Sequence, residues 1–137
     1  MRLQKRHVGA LVLSAALVLA AGRGAAQTLP NRDDPAWSGV GAAGGADYFV
    51  LPSSVVRQGR TVRLLMKATV PPAPDGAVPN TVVAEVVVDC DAATIGTGTL
   101  EFYGVTQGFL ATRSDEAVPG PASDPGQTLI IQHVCAD

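Results

Sequence analysis

The 137-residue chain is short of most residues that carry chemistry: it has two cysteines, two histidines and one tryptophan, and aromatic residues are 4% of the total. There is no CxxC pair to hold a metal or a redox couple. There is no GxSxG elbow, and Ser53 and Ser54 follow a proline in a turn, without the adjacent base that a hydrolytic nucleophile needs. Gly96-Thr97-Gly98 lacks the third glycine and the opening helix of a dinucleotide loop. No catalytic residue, cofactor or bound metal is therefore expected. The length also excludes a barrel of roughly 250 residues and suits one small domain.

One long apolar run is present, at the start. Arg2, Lys5 and Arg6 precede the stretch Val8 to Ala21, and Gly24-Ala25-Ala26 follows it. A basic head, an apolar run too short to span a bilayer comfortably and small residues before Gln27 together read as an export signal over residues 1–26. No cysteine stands directly after the run, which argues against a lipid-anchored form. No second run approaches the roughly 20 apolar residues of a membrane span, so none is expected after cleavage. The leader also distorts the charge. The whole chain has 10 basic and 12 acidic side chains, a net charge of −2. Arg2, Lys5, Arg6 and Arg23 fall in the leader and no acid does, so the remainder has six basic residues against the same 12 acidic ones. An acidic surface speaks against nucleic acid as a partner.

Cys90 and Cys135 allow only one pairing, and in an exported chain an even count reads as a disulfide. Closing a loop of that length is worth about 4 kcal/mol in the chain-entropy account. Two free thiols, or a metal pair, are the alternatives.

What remains is mostly strand. Residues 27–36 are polar, hold two prolines and read as an exposed arm. Trp37–Val40 and Asp47–Leu51 read as strands around the glycine-rich Gly41–Gly45, and Gln58-Gly59-Arg60 as a turn. Thr61–Val70 is the clearest strand, with Val62, Leu64, Met66 and Ala68 on one face and a mostly polar set on the other. Pro71–Asn80 contains four prolines and cannot be sheet interior. Thr81–Cys90 alternates Val82, Ala84, Val86 and Val88 against Glu85 and Asp89. Antiparallel pairing with Arg63 opposite Asp89 and Lys67 opposite Glu85 satisfies both charge and hydrophobicity, and sets Leu64 against Val88 and Met66 against Val86. Ala93–Tyr103 is a further strand, where Gly96 and Gly98 mark a bulge or a close backbone approach. Gly104 turns into Val105–Arg113, and residues 114–123 read as loop. Asp124 as N-cap, Pro125 at N1, Gln127 at the capping position and the stripe Ile130, Ile131, Val134 and Cys135 predict a C-terminal helix. A β-branched strand from Thr128 to Val134 is the competitor.

This layout resembles the bacterial surface-adhesin protein E-like domain family over Trp37 to Cys135. VVVDC (86–90) and PASDPGQTLIIQHVC (121–135) carry most of the resemblance. It implies an α+β fold: an antiparallel sheet of about six strands, with a C-terminal helix pinned to one face by Cys90–Cys135. The chain departs from the family at Leu51, where an aspartate is usual, and at Leu64-Leu65, where a tryptophan is common. The function implied is that of an exported, non-enzymatic envelope domain, periplasmic, secreted or at the cell surface, which binds a protein or an extracellular ligand. An uncovered edge strand would admit a partner or a second copy as a homodimer.

Two clusters merit placement in space. Arg57, Arg60, Arg63 and Lys67 are four of the six basic residues beyond the leader, either an anionic-ligand or partner patch or the mates of Glu85, Asp89, Asp91 and Glu101. Asp89 and Asp91 flank Cys90, and with His133 they are the residues a small periplasmic enzyme or metal-binding protein would use. Salt bridges for the two carboxylates and a solvated helix position for His133 are the plainer readings.

Overall fold

The computed structural model describes residues 29–30, 32–74, 79–105 and 108–136. The leader read from residues 1–26 lies outside them. Eight strands form one antiparallel sheet: β1 (Ser38–Ala43), β2 (Ala46–Val50), β3 (Val56–Gln58), β4 (Thr61–Thr69), β5 (Thr81–Asp89), β6 (Thr94–Gly104), β7 (Gly108–Arg113) and β8 (Gly120–Pro121). The main path runs β1-β2-β4-β5-β6-β7, with β3 added to β4 and β8 to β6. Among the described residues one α-helix, α1 (Pro125–Val134), closes the fold. The architecture is the expected α+β sheet with a C-terminal helix, and Cys90 and Cys135 are bonded with their Cα atoms 5.5 Å apart.

The turns follow from glycine. Gly44 and Gly45 both have positive φ and connect Ala43 to Ala46 in a two-residue hairpin, so the glycine-rich Gly41–Gly45 supplies a tight turn. Gly59, with φ +61°, turns β3 into β4. Beyond β5, Asp89 Oδ1 accepts from the amides of Asp91 and Ala92, at 3.0 and 3.1 Å. Ala93 adopts φ +53° to complete this reversal, so β6 begins at Thr94 and not at Ala93.

The helix beats the competing strand through its first turn. The Asp124 carboxylate accepts from Gln127 N–H at 2.8 Å, and Pro125 loses nothing by lacking a donor there. Gln127 Oε1 reaches back to the amide of Ser123 at 2.6 Å, one residue earlier than the capping box predicts. Arg57 Nη2 donates to Val134 O at 2.8 Å, satisfying a carbonyl at the negative end of the helix. Ile130 and Val134 enter the core formed with Val50, Val62, Leu64, Ala84, Val86, Val88 and Ile95.

The expected pairing of β4 with β5 is correct in sense but wrong in register. Arg63 faces Val87, Leu65 faces Glu85, Lys67 faces Val83, Leu64 faces Val86 and Met66 faces Ala84. The shift is two residues on β5, which leaves every side chain on its expected face. Hydrophobic alternation is therefore blind to it, and exposed ion pairs worth about 0–1 kcal/mol are too weak to set the choice. Contacts at the strand ends accompany the observed register. Thr69 and Thr81 pair with their hydroxyls 3.3 Å apart, while Cys90 N–H reaches Arg60 O at 2.9 Å.

The face opposite α1 also departs from expectation. It is not simply polar: Val83, Val87, Tyr103 and Glu101 are buried there. The glycines of β6 make this possible. The extra residue at Gly98–Thr99, opposite Glu85, changes the parity of the strand, so Glu101 points away from the α1 core. Gly96 lies under residue 118 of the returning loop: a Cβ built on it would sit 2.6 Å from the Val118 carbonyl carbon.

Candidate functional site

On the face away from α1 the register lines up Phe49, Lys67, Val83, Glu101 and Thr112 in one row across β2, β4, β5, β6 and β7. Asp47, Thr69, Thr81, Tyr103 and Phe109 form the next row. Across these rows runs the segment from Leu29 to Trp37, most of it half-buried rather than exposed. Leu29 N–H donates to Glu101 Oε1 at 3.0 Å, and Tyr103 Oη donates to Glu101 Oε2 at 3.0 Å. Arg32 donates to Gly104 O, and its guanidinium carbon stands 5.7 Å from the centre of the Tyr103 ring. Glu101 is fully buried, and each carboxylate oxygen has a donor, as a buried carboxylate requires.

Lys67 is the centre of this arrangement. Its ammonium lies 4.5 Å from the Phe49 ring centre and 5.4 Å from that of Trp37, and it donates to Arg32 O at 2.7 Å. Aromatic faces attract a cation but cannot solvate it as water does. Burial therefore pushes the Lys67 pKa below its ordinary value; the Asp33 carboxylate opposes this, Arg32 adds to it and Asp34 opposes it. Beside Lys67 opens a cavity of about 280 Å³, lined by Arg32, Asp33, Thr69, Asn80, Thr81 and Val105 as well. Asn80 Oδ1 is buried and accepts no hydrogen bond among the described residues. Lys67, Arg32, Asp33, Thr69 and Thr81 thus line a polar space in which Arg32 Nε stands 3.5 Å from Asp33 Oδ2, while Asn80 Oδ1 is itself closed to solvent.

The basic cluster read from the sequence is not one patch. Arg57 lies on the α1 side at the helix end, where it binds Val134 O. Arg60 pairs with Asp91, both largely exposed. Arg63 is exposed on β4, and Lys67 is half-buried under the Leu29–Trp37 segment. Of the anionic mates proposed for them, only Asp91 forms a salt bridge with one of these residues among the described residues. Asp89 caps its own turn, and Glu101 binds Leu29 and Tyr103.

Asp89, Asp91 and His133 are not gathered either. His133 is exposed in the last turn of α1, beside a cavity shared with Arg57, and among the described residues no group of three His, Cys, Asp or Glu side chains could hold a metal ion. The sequence reading missed Arg32, Asn80 and the Trp37–Phe49 bracket around Lys67. Asn80 was hidden in a proline-rich loop, and Arg32 in a polar arm. The one available signal was Lys67 itself, the only lysine beyond residue 5. A scan against protein-family models finds no match, and a search of curated proteins finds none.

Proposed function

We propose that this chain is an exported cell-envelope domain, periplasmic, secreted or surface-displayed, that works by contact with a protein or ligand and not by catalysis. The observation that carries the reading is the Cys90–Cys135 bridge. Structural disulfides persist in oxidising compartments and are rare where thiols are kept reduced. The export signal read from residues 1–26 supports the same compartment. The surface-adhesin protein E-like resemblance supports contact as the mode of action, since it implies this sheet, this helix and this bridge. Among the described residues the main sheet path ends in β1 and β7, the strands at which a partner or a second copy would add, and Leu110 is exposed on β7.

The full chain is to be expressed in a bacterial host and fractionated. Processed protein should appear outside the cytoplasm, starting at Gln27 and two hydrogens lighter than its reduced form. A full-length cytoplasmic protein with both thiols free would overturn the reading.

A further inference from the structure

We infer that the open cavity between the first turn of α1 and the sheet binds a small primary amine with an apolar body. The inference rests on the contact reading proposed above and gives the ligand a chemical class. The cavity holds about 300 Å³, and Met66, Ala68, Val82, Ile95 and Leu100 make its apolar wall. Met66, Val82 and Leu100 are only partly buried beside the core, so an apolar ligand removes surface there from water. At the helix end the wall is formed by Tyr48, Asp124 and Gln127. Among the described residues Asp124 is the one charged side chain of the lining, and no cation pairs with it. Helix N-termini ordinarily draw anions. Here Pro125 has no N–H, Gln127 N–H goes to Asp124 Oδ1 at 2.8 Å and Thr128 N–H to Asp124 O at 3.3 Å, so the helix end presents a carboxylate in place of free amides. The helix dipole offsets about half of that charge, and about half a negative charge remains at the cavity mouth. Burial, and after it the Asp124 carboxylate, raises the pKa of Tyr48, so the charge is felt along the wall. An ammonium complements this end and a carboxylate is repelled, by a modest amount because Asp124 is exposed.

The molecule carries its own reporter. Met66 is the only methionine beyond Met1, and it lines the cavity. Oxidised, purified protein with isotope-labelled methionine methyl groups is titrated near neutral pH with hexylamine, hexanol and hexanoate, while NMR follows the Met66 methyl. Hexylamine should give a saturable shift. Hexanol should bind about threefold more weakly, and hexanoate about threefold more weakly again, the scale of one exposed charge interaction. Methylamine, which lacks the apolar body, should leave Met66 unmoved. Asp124→Asn keeps the helix cap and removes the charge, so the three affinities should converge. Ala68→Leu fills the cavity and should abolish saturation; if it does not fold, the Asp124→Asn arm decides. No saturable shift with hexylamine, hexanoate binding as tightly as hexylamine, or an unchanged ranking in Asp124→Asn overturns the inference. A retained leader only adds a second signal, from Met1, so failed export and failed binding are distinguishable.

Discussion

Tyr48 shows how one side chain ties the helix to the sheet. It projects from β2 toward the first turn of α1, and a Cβ built on Gly126 would overlap its ring. Glycine at 126 weakens the helix in isolation but lets the hydroxyl end of the phenol come close to its backbone. Burial raises the Tyr48 pKa above the ordinary tyrosine value, and the Asp124 carboxylate raises it further. A raised acid pKa means the folded protein holds the proton more tightly than the unfolded chain. This contribution to stability is complete below pH 10.0 and disappears as pH climbs through the folded value. In an alkaline absorbance titration, Tyr48→Phe should remove a phenol that ionises above the ordinary tyrosine range. An unchanged titration would place that phenol elsewhere.

At the scale of elements, β6 decides most of what distinguishes the two faces. Its extra residue turns Glu101 away from the aliphatic core and into reach of Leu29 N–H. Gly96 admits the backbone of the loop that leads to β8. Gly96→Ala should cost about 1–3 kcal/mol, the usual range for overpacking, because the colliding atoms are backbone and cannot rotate aside. Urea unfolding measures this, and an unchanged midpoint would mean that the loop does not lie so close.

Elements with a strong local rule were legible in the sequence. Asp124, Pro125 and Gln127 announce the helix start, and alternation assigns the facing of β4 and β5. The β4–β5 register was not legible, because a two-residue slip preserves alternation. The candidate site was less legible still: Lys67 stood out, but Arg32 and Asn80 join it only through tertiary contacts across more than ten residues of intervening chain.

For the molecule as a whole, both faces of the sheet are covered, one by α1 and the other by the Leu29–Trp37 segment and the loop past Val118. The core under α1 is mainly aliphatic and modest, so the bridge carries a large share of stability. Replacing both cysteines by serine should lower unfolding free energy by about 4 kcal/mol, within a total of roughly 5–15 kcal/mol for such a domain. Thermal unfolding with and without reductant checks it, and coincident curves would show that the bridge contributes little.

The position of that bridge also sets a load path. Cys90 follows the last residue of β5, a central strand, and Cys135 follows the last residue of α1. Tension applied beyond Cys135 therefore passes through a covalent bond directly into the middle of the sheet and leaves the helix unstretched. Tension applied ahead of Leu29 meets first the non-covalent contacts of the arm, among them Leu29 with Glu101 and Arg32 with Gly104 and Tyr103. The protein is mechanically asymmetric: anchored from its C-terminal side it resists as a sheet in which several strands share the force, and pulled from the other side it lets out slack first.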